Sequence, residues 1–182
     1  MNHEDIQGWF DFEEFYTYVA QAVPNGATCV ELGPWLGKST IHLAEQLKLL
    51  GKKVKLFAVD TWGGSPGEDV FQVVAGGLKA GPYEEFLENV KKYSVEDIVV
   101  PHRKNSIEAA SDFGTESVHF LFHDTAHDYK HVFNELRAWA PKAKVGAIVG
   151  GHDYAMEEVR KAVDEFWGSV KQYGPCWWTI KT

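Results

Sequence analysis

Two short clusters in the C-terminal half hold the side chains best suited to chemistry: HDTAHDY, residues 123–129, and GGHDY, residues 150–154. Asp124 and Asp153 offer oxygen ligands of the kind Mg²⁺ or Mn²⁺ takes, and His152 beside them opens the set to a softer ion. His127 is a side chain able to take a proton near neutral pH. Each cluster follows an apolar run that reads as a strand, 118–122 and 145–149, so the two meet if those strands are neighbours. A lone Asp or His in such a place also serves as a cap or a satisfied polar group, and both readings stay open. His119, His123, His127 and His131 recur at every fourth position, which on one helix would line up a metal-binding stripe. The run Phe120 to Phe122 is strand-like, so we expect no shared face and no stripe.

A third stretch, TCVELGPWLGKST (28–40), reads as a buried strand, a glycine-bearing turn and the first turn of a helix. Gly33 and Gly37 permit positive φ and a close ligand approach, and Ser39 stands where free helix N–H groups favour a polar or anionic group. Three glycines spaced for a dinucleotide are absent. A phosphate loop is excluded because Leu32 stands where its first glycine belongs. About twenty residues on, Asp60 ends the next strand, where folds that bind an adenosine place a carboxylate for the ribose hydroxyls. The competing reading is a cap for the following turn. Thr61 and Trp62 follow it, and Asn105 and Ser106 mark another strand-to-helix turn, where either can cap the helix.

These groups have to be positioned by alternating elements. Strand patterns fall at 28–32, 54–59, 98–101, 118–122 and 145–149; helical patterns at 8–23, 39–50, 83–92, 130–139 and 155–167. Residues 170–173 and 177–180 around Gly174 and Pro175 read as a terminal hairpin. The alternation predicts an α/β domain with a mostly parallel sheet, whose ligands bind outside the carboxyl ends of the strands. Glu31, Asp60, Ser106, Asp124 with His127, and His152 with Asp153 all fall at such ends. We expect one domain over 1–182, a helical cover over 1–27 and a substrate lid over 63–82. The formal charge of -8 argues against a nucleic-acid backbone as partner. Cys29 and Cys176 are too few for a disulfide framework, and Cys29 reads as a reduced core thiol. With no signal peptide or bilayer-spanning run, a cytoplasmic protein without a membrane partner is expected. Trp177 and Trp178 face either a second subunit, making a homo-oligomer, or the interior of a packed terminal strand.

The 28–40 stretch resembles the first motif of the class I S-adenosylmethionine-dependent methyltransferases. FLFHDTAHDYKHVFNELRAWAPKAKVGAIVGGHDY resembles the family that includes bacterial sugar O-methyltransferases and cephalosporin hydroxylase-like proteins, matching at Asp124, His127, Tyr129, Trp139, Pro141, Gly146, Gly151, His152, Asp153 and Tyr154. The resemblance implies a Rossmann-like methyltransferase fold with helices on both faces of the sheet and a C-terminal antiparallel hairpin. It implies S-adenosylmethionine as cofactor, held by Glu31, Gly33, Trp35, Gly37, Ser39, Asp60, Thr61, Trp62, Ser106 and Asp124, with Ser106 bordering the adenine. It further implies Asp124 and Asp153, joined by His152, as ligands for Mg²⁺ or another divalent metal. His127 would be the general base and a small-molecule hydroxyl, on a sugar or glycan-related compound, the acceptor. The sequence departs at His123, where the family is apolar, at Ala126, often acidic, and at His152, where the sugar methyltransferases carry a carboxylate. A S-adenosylmethionine-binding protein of the same fold with a hydroxylase-like or noncatalytic role is the alternative. A nicotinamide enzyme is disfavoured by the missing third glycine.

Overall fold

The strand-forming runs, rich in β-branched and aromatic residues, assemble into one seven-stranded sheet in a computed structural model that describes residues 3–64, 77 and 81–182. The order is β3 (Val99–Arg103), β2 (Lys55–Asp60), β1 (Thr28–Leu32), β4 (Val118–His123), β5 (Ala143–Gly151), β7 (Cys176–Ile180), β6 (Lys171–Tyr173). β1 to β5 run parallel; β7 lies antiparallel to β5 and β6 antiparallel to β7. Strand order reverses between β1 and β4, and a sheet of this kind opens its ligand crevice at that point.

Helices cover both faces. α1 (Glu13–Ala22), α2 (Lys38–Leu49) and α3 (Pro82–Lys92) enclose one core, in which Tyr16, Val19, Ile41, Leu47 and Phe86 meet Cys29, Leu56, Phe120 and Phe122 from the sheet. α4 (Ser106–Ala109), α5 (Tyr129–Trp139) and α6 (Glu157–Trp167) enclose the other, where Val132, Leu136, Trp139, Val159 and Val163 meet Val30, Leu32, Leu121 and Val149. Alternation along each strand sends successive side chains into opposite cores. The Asn105 side chain caps α4, accepting from the backbone N–H groups of Ile107 at 3.0 Å and Glu108 at 3.3 Å.

Several expected boundaries move. The first helix begins at Glu13 rather than Gly8, because Phe10 and Phe12 are used as an extended strap whose rings lie against His42 and His152, 5.2 Å and 5.0 Å between centroids. β4 runs on through His123 and β5 through Gly151, so His123 belongs to a strand and the glycine pair ends one. Trp177 is buried in the second core, which leaves no Trp177 surface for a subunit contact, and Trp178 packs against the first core. Cys29 and Cys176 are free and buried, and burial pushes the Cys29 thiol up to about 12. Most of the stretch expected to form a lid, 65–76 and 78–80, lies outside the described residues. No helix among the described residues is long and apolar enough to cross a membrane.

Candidate active site

β1 delivers Glu31 to the first core, where its carboxylate is almost fully buried and filled by hydroxyls. Tyr16 donates to Oε1 at 3.0 Å, Ser39 to Oε1 at 2.6 Å, and Thr40 to Oε2. Burial pushes Glu31 above the ordinary carboxylate range, against the pull of these three hydrogen bonds. Glu31 and Ser39 are therefore committed to each other. Their contacts tie α1, β1 and the start of α2 together and set the shape of the turn between them.

That turn is as tight as its glycines allow. Gly33 has φ +82°, and a Cβ there would lie 1.7 Å from the carbonyl oxygen of Asp124. The end of β1 is thus pressed onto the end of β4, an approach a backbone without a side chain alone permits. Gly37 caps α2 at φ +88° and faces the Phe86 ring. Trp35, between them, also takes positive φ, 50°. At the end of β2, Asp60 Oδ1 accepts from the backbone N–H of Trp62 at 2.8 Å; burial raises its pKa, opposed by backbone N–H groups of Trp62, Trp35 and Thr61. Trp62 is itself buried, its indole N–H donating to the Trp35 carbonyl at 2.7 Å and its ring 4.9 Å from Phe86. Trp62 thus spans the two loops as packing. Ser106 opens α4 beyond β3, and the Trp139 indole donates to its carbonyl at 2.7 Å.

Asp124, His127, His152 and Asp153 do come together. β4 and β5 are paired with His123 opposite Gly151, so the residues that follow each strand share one rim. His127 Nε2 lies 2.9 Å from Asp153 Oδ2, and His152 Nδ1 lies 3.1 Å from the same oxygen and 3.8 Å from Asp124 Oδ1. His152 Nε2 meets Asp11 Oδ1 of the strap at 2.9 Å. Asp153 sits at φ +58°, a left-handed conformation uncommon for a residue with a side chain, and such outliers gather at functional sites. Burial pushes Asp124 up to about 7; Asp153 and Glu31 add to the rise, and His152 and His127 oppose it. Burial also opposes the charge on His152, but its carboxylate neighbours outweigh this and raise it to about 9. The hydrogen bonds from His127 and His152 outweigh the burial of Asp153 and hold it well below the usual carboxylate range.

Candidate ligand atoms of Asp124, His152 and Asp153 all lie within 4.8 Å of one another. A half-buried carboxylate that holds a proton to about pH 7 beside a second carboxylate is a place where a cation can replace the proton. The two carboxylates therefore fit a divalent ion, with His152 joining them on release of the proton that its carboxylate neighbours favour.

One group escaped the sequence reading. Glu135 on α5 is almost fully buried, on the helix face formed by Val132, Leu136 and Trp139. Its Oε1 accepts from His123 Nδ1 at 2.8 Å, and Oε2 accepts from Thr125 Oγ1 at 3.0 Å and lies 3.5 Å from His131 Nε2. A charged residue in the middle of an apolar 3-4 spacing is the signal that marks it. The four histidines do not form one stripe. His123 and His131 converge on Glu135, while His119, beside a register break in β4, lines the opposite side of the sheet with Tyr18 and Ala22 of α1. The His123 Nε2 is buried with no hydrogen-bond partner among the described residues, and the ring lines a cavity of about 20 Å³ shared with Asp124, His127 and Asp153. That volume holds one water.

Solved structures with this fold include the O-methyltransferase NovP, 19% identical with a TM-score of 0.67, matched over 93% of this chain and 79% of that one. CalS11, a calicheamicin methyltransferase, is 14% identical with a TM-score of 0.69 over 92% and 76%. A Staphylococcus aureus protein described as a caffeoyl-CoA O-methyltransferase is 12% identical, with a TM-score of 0.66 over 98% and 87%. No curated protein sequence matches the chain. Residues 30–154, from the strand that carries Glu31 to the Tyr154 that ends the second cluster, match the family described as "Methyltransferase domain". The chain belongs to that family, and its sheet is that of the class I S-adenosylmethionine-dependent methyltransferases.

Proposed function

We propose that the protein transfers the methyl group of S-adenosylmethionine to a hydroxyl of a small molecule, with a divalent cation held by Asp124, His152 and Asp153. The observation that carries this reading is the meeting of Asp124, His127, His152 and Asp153 on one rim, directly beside the Gly33 turn. The methyl donor is already activated, so the protein has two tasks: to align the acceptor oxygen with the methyl group, and to remove the acceptor's proton. The Gly33–Gly37 turn and Asp60 supply the cofactor's seat, Asp60 through the ribose hydroxyls and Ser106 at the adenine. A cation bound at Asp124 and Asp153 would lower the pKa of an acceptor hydroxyl that touches it. His127, oriented by Asp153 at 2.9 Å, receives the proton. One of the related structures, CalS11, is described as a TDP-rhamnose 3'-O-methyltransferase, and a sugar or glycan-related acceptor suits the same arrangement here.

Calorimetric titration of metal-stripped protein with S-adenosylhomocysteine, repeated with Mg²⁺, tests the reading. Binding is expected, with Asp60→Ala weakening it by at least about tenfold, the loss of about one hydrogen bond to a charged group. His127→Ala is expected to slow turnover by roughly 10²- to 10⁴-fold while cofactor binding stays intact. Absence of binding with and without Mg²⁺ would remove the proposal, and full turnover in His127→Ala would remove the base.

A further inference from the structure

A second cluster of metal-ligating side chains lies well away from the β4–β5 rim, where the N-terminal segment crosses the first two helices. His3 comes from a short 3₁₀ turn, Glu13 opens α1, and His42 stands on the buried side of α2. Candidate ligand atoms of all three lie within 4.8 Å of one another. His3 Nε2 is 2.6 Å from Glu13 Oε1, and the two imidazole rings meet edge to face with centroids 4.7 Å apart. Glu45, one helical turn beyond His42, places Oε2 3.9 Å from His3 Nδ1. We infer that His3, Glu13 and His42 bind one divalent transition-metal ion of the Zn²⁺ class, with Glu45 on the other ring nitrogen of His3 as a support for that ligand.

The donor types set the class of ion. Two nitrogens with a carboxylate suit Zn²⁺, Co²⁺ or Ni²⁺, whereas Mg²⁺ prefers oxygen ligands alone. His42 is buried, and a contact of 3.3 Å between its Nε2 and the Thr17 hydroxyl helps hold the ring. Glu13, nearly half exposed, leaves the site open to solvent and to an arriving ion.

What the ion would do follows from where the three ligands come from. They belong to three separate elements, so one ion ties the N-terminal segment to the α1–α2 pair. The strap between them then reaches the active rim. Gly8 lies against Trp35 of the glycine turn, Phe10 packs on both imidazoles of the cluster, and Asp11 and Phe12 meet His152. A clamp at one end of the strap holds Asp11 on His152 at the other.

The full chain carrying Asp124→Asn and Asp153→Asn, stripped of metal and titrated with Co²⁺, isolates this cluster from the rim. One equivalent should bind with the visible absorption of low-coordinate cobalt, and Zn²⁺ should displace it. His3→Ala, a substitution in a short turn with no buried residue, should weaken that binding at least about tenfold, the scale of effects seen when a metal's supporting shell is damaged. Hydrogen exchange of the amides of residues 8–12 should slow when Zn²⁺ is added. No cobalt uptake by the double variant, or uptake unchanged by His3→Ala, overturns the site. Unchanged exchange in the strap overturns the clamp. None of these readings involves the methyl donor, so the site stands or falls separately from methyl transfer.

Discussion

Glu31 and Glu135 are the same residue buried to the same degree, each about 1% exposed, on opposite faces of one sheet. Their carboxylates nevertheless respond to burial in opposite ways. Glu31 meets three hydroxyls and is raised; burial pushes Glu135 up as well, but the imidazoles of His123 and His131 outweigh it and bring it down to about 2. A hydroxyl can donate or accept, so the Glu31 network can turn its hydrogens to suit either a charged or a neutral carboxyl. An imidazole beside an ionised carboxylate supplies a directed N–H and, when protonated, a charge. The partners, not the depth, decide whether a buried acid stays ionised. The first region is thus built to hold a shape under the glycine turn. The second is built to hold a charge beneath the rim that carries Asp124, His127 and Asp153.

The largest break in this comparison is Glu135→Leu. It leaves the buried His123 Nδ1–H and the part-buried Thr125 hydroxyl without their carboxylate acceptor and removes the anion that His131 faces. Losing one side of a buried charged pair costs about 3–5 kcal/mol, which in a chain of this size lowers Tm by roughly 10 °C. Thermal melts should show this, and a loss under about 1 kcal/mol would mean that the network contributes little.

Acid titration sharpens the same contrast. The folded pKa of Glu135, about 2, lies below its ordinary 4.5, so its contribution is fully present above about pH 4.5 and disappears as pH falls toward 2. Wild type should therefore lose on the order of 3 kcal/mol more than Glu135→Gln across that window. Glu31 has the opposite sign. Its raised pKa makes the folded state prefer the protonated form, so protonation of Glu31 does not add to acid unfolding. Parallel acid profiles for wild type and Glu135→Gln would contradict the assignment.

The two regions also differ in how much of them could be read from the chain. The alternation of strands and helices, the terminal hairpin and the polar residues at strand ends follow from periodicity and turn residues, which act locally. The meeting of Asp124 with Asp153 needed one further step, that β4 and β5 are neighbours. The partners of Glu31 were less legible, because Tyr16 comes from a helix fifteen residues upstream, whose apolar face was readable but whose packing onto the end of β1 is set by contacts distant in sequence. Glu135 was missed because His123 was read as lying just past its strand; a one-residue change in that boundary decides which side chain faces α5. The strap itself carries no periodic signal. Its aromatic rings are placed by contacts with His42 and His152, which are distant in sequence.

Glu31→Gln should be milder than either change at Glu135. A glutamine keeps the oxygen that Ser39 or Thr40 can donate to, and its amide can donate in turn to a hydroxyl that reverses its role. A cost of about 1–2 kcal/mol is expected, that of one impaired buried hydrogen bond, and a loss as large as that of Glu135→Leu would erase the distinction.

Tyr16→Phe should have the smallest effect and separates the two designs most directly. It removes one of two donors to Oε1 and leaves Ser39 on that oxygen, so about 1 kcal/mol is expected at neutral pH. The cost should then shrink as pH falls and Glu31 takes up its own proton. A neutral carboxyl accepts more weakly, and its O–H can donate to a neighbouring hydroxyl. Urea unfolding of wild type and Tyr16→Phe at neutral and mildly acidic pH reads this difference. A cost that does not change with pH would mean that Glu31 keeps one protonation state throughout, as Glu135 does over the same range. The two acids would then differ in their partners but not in their behaviour.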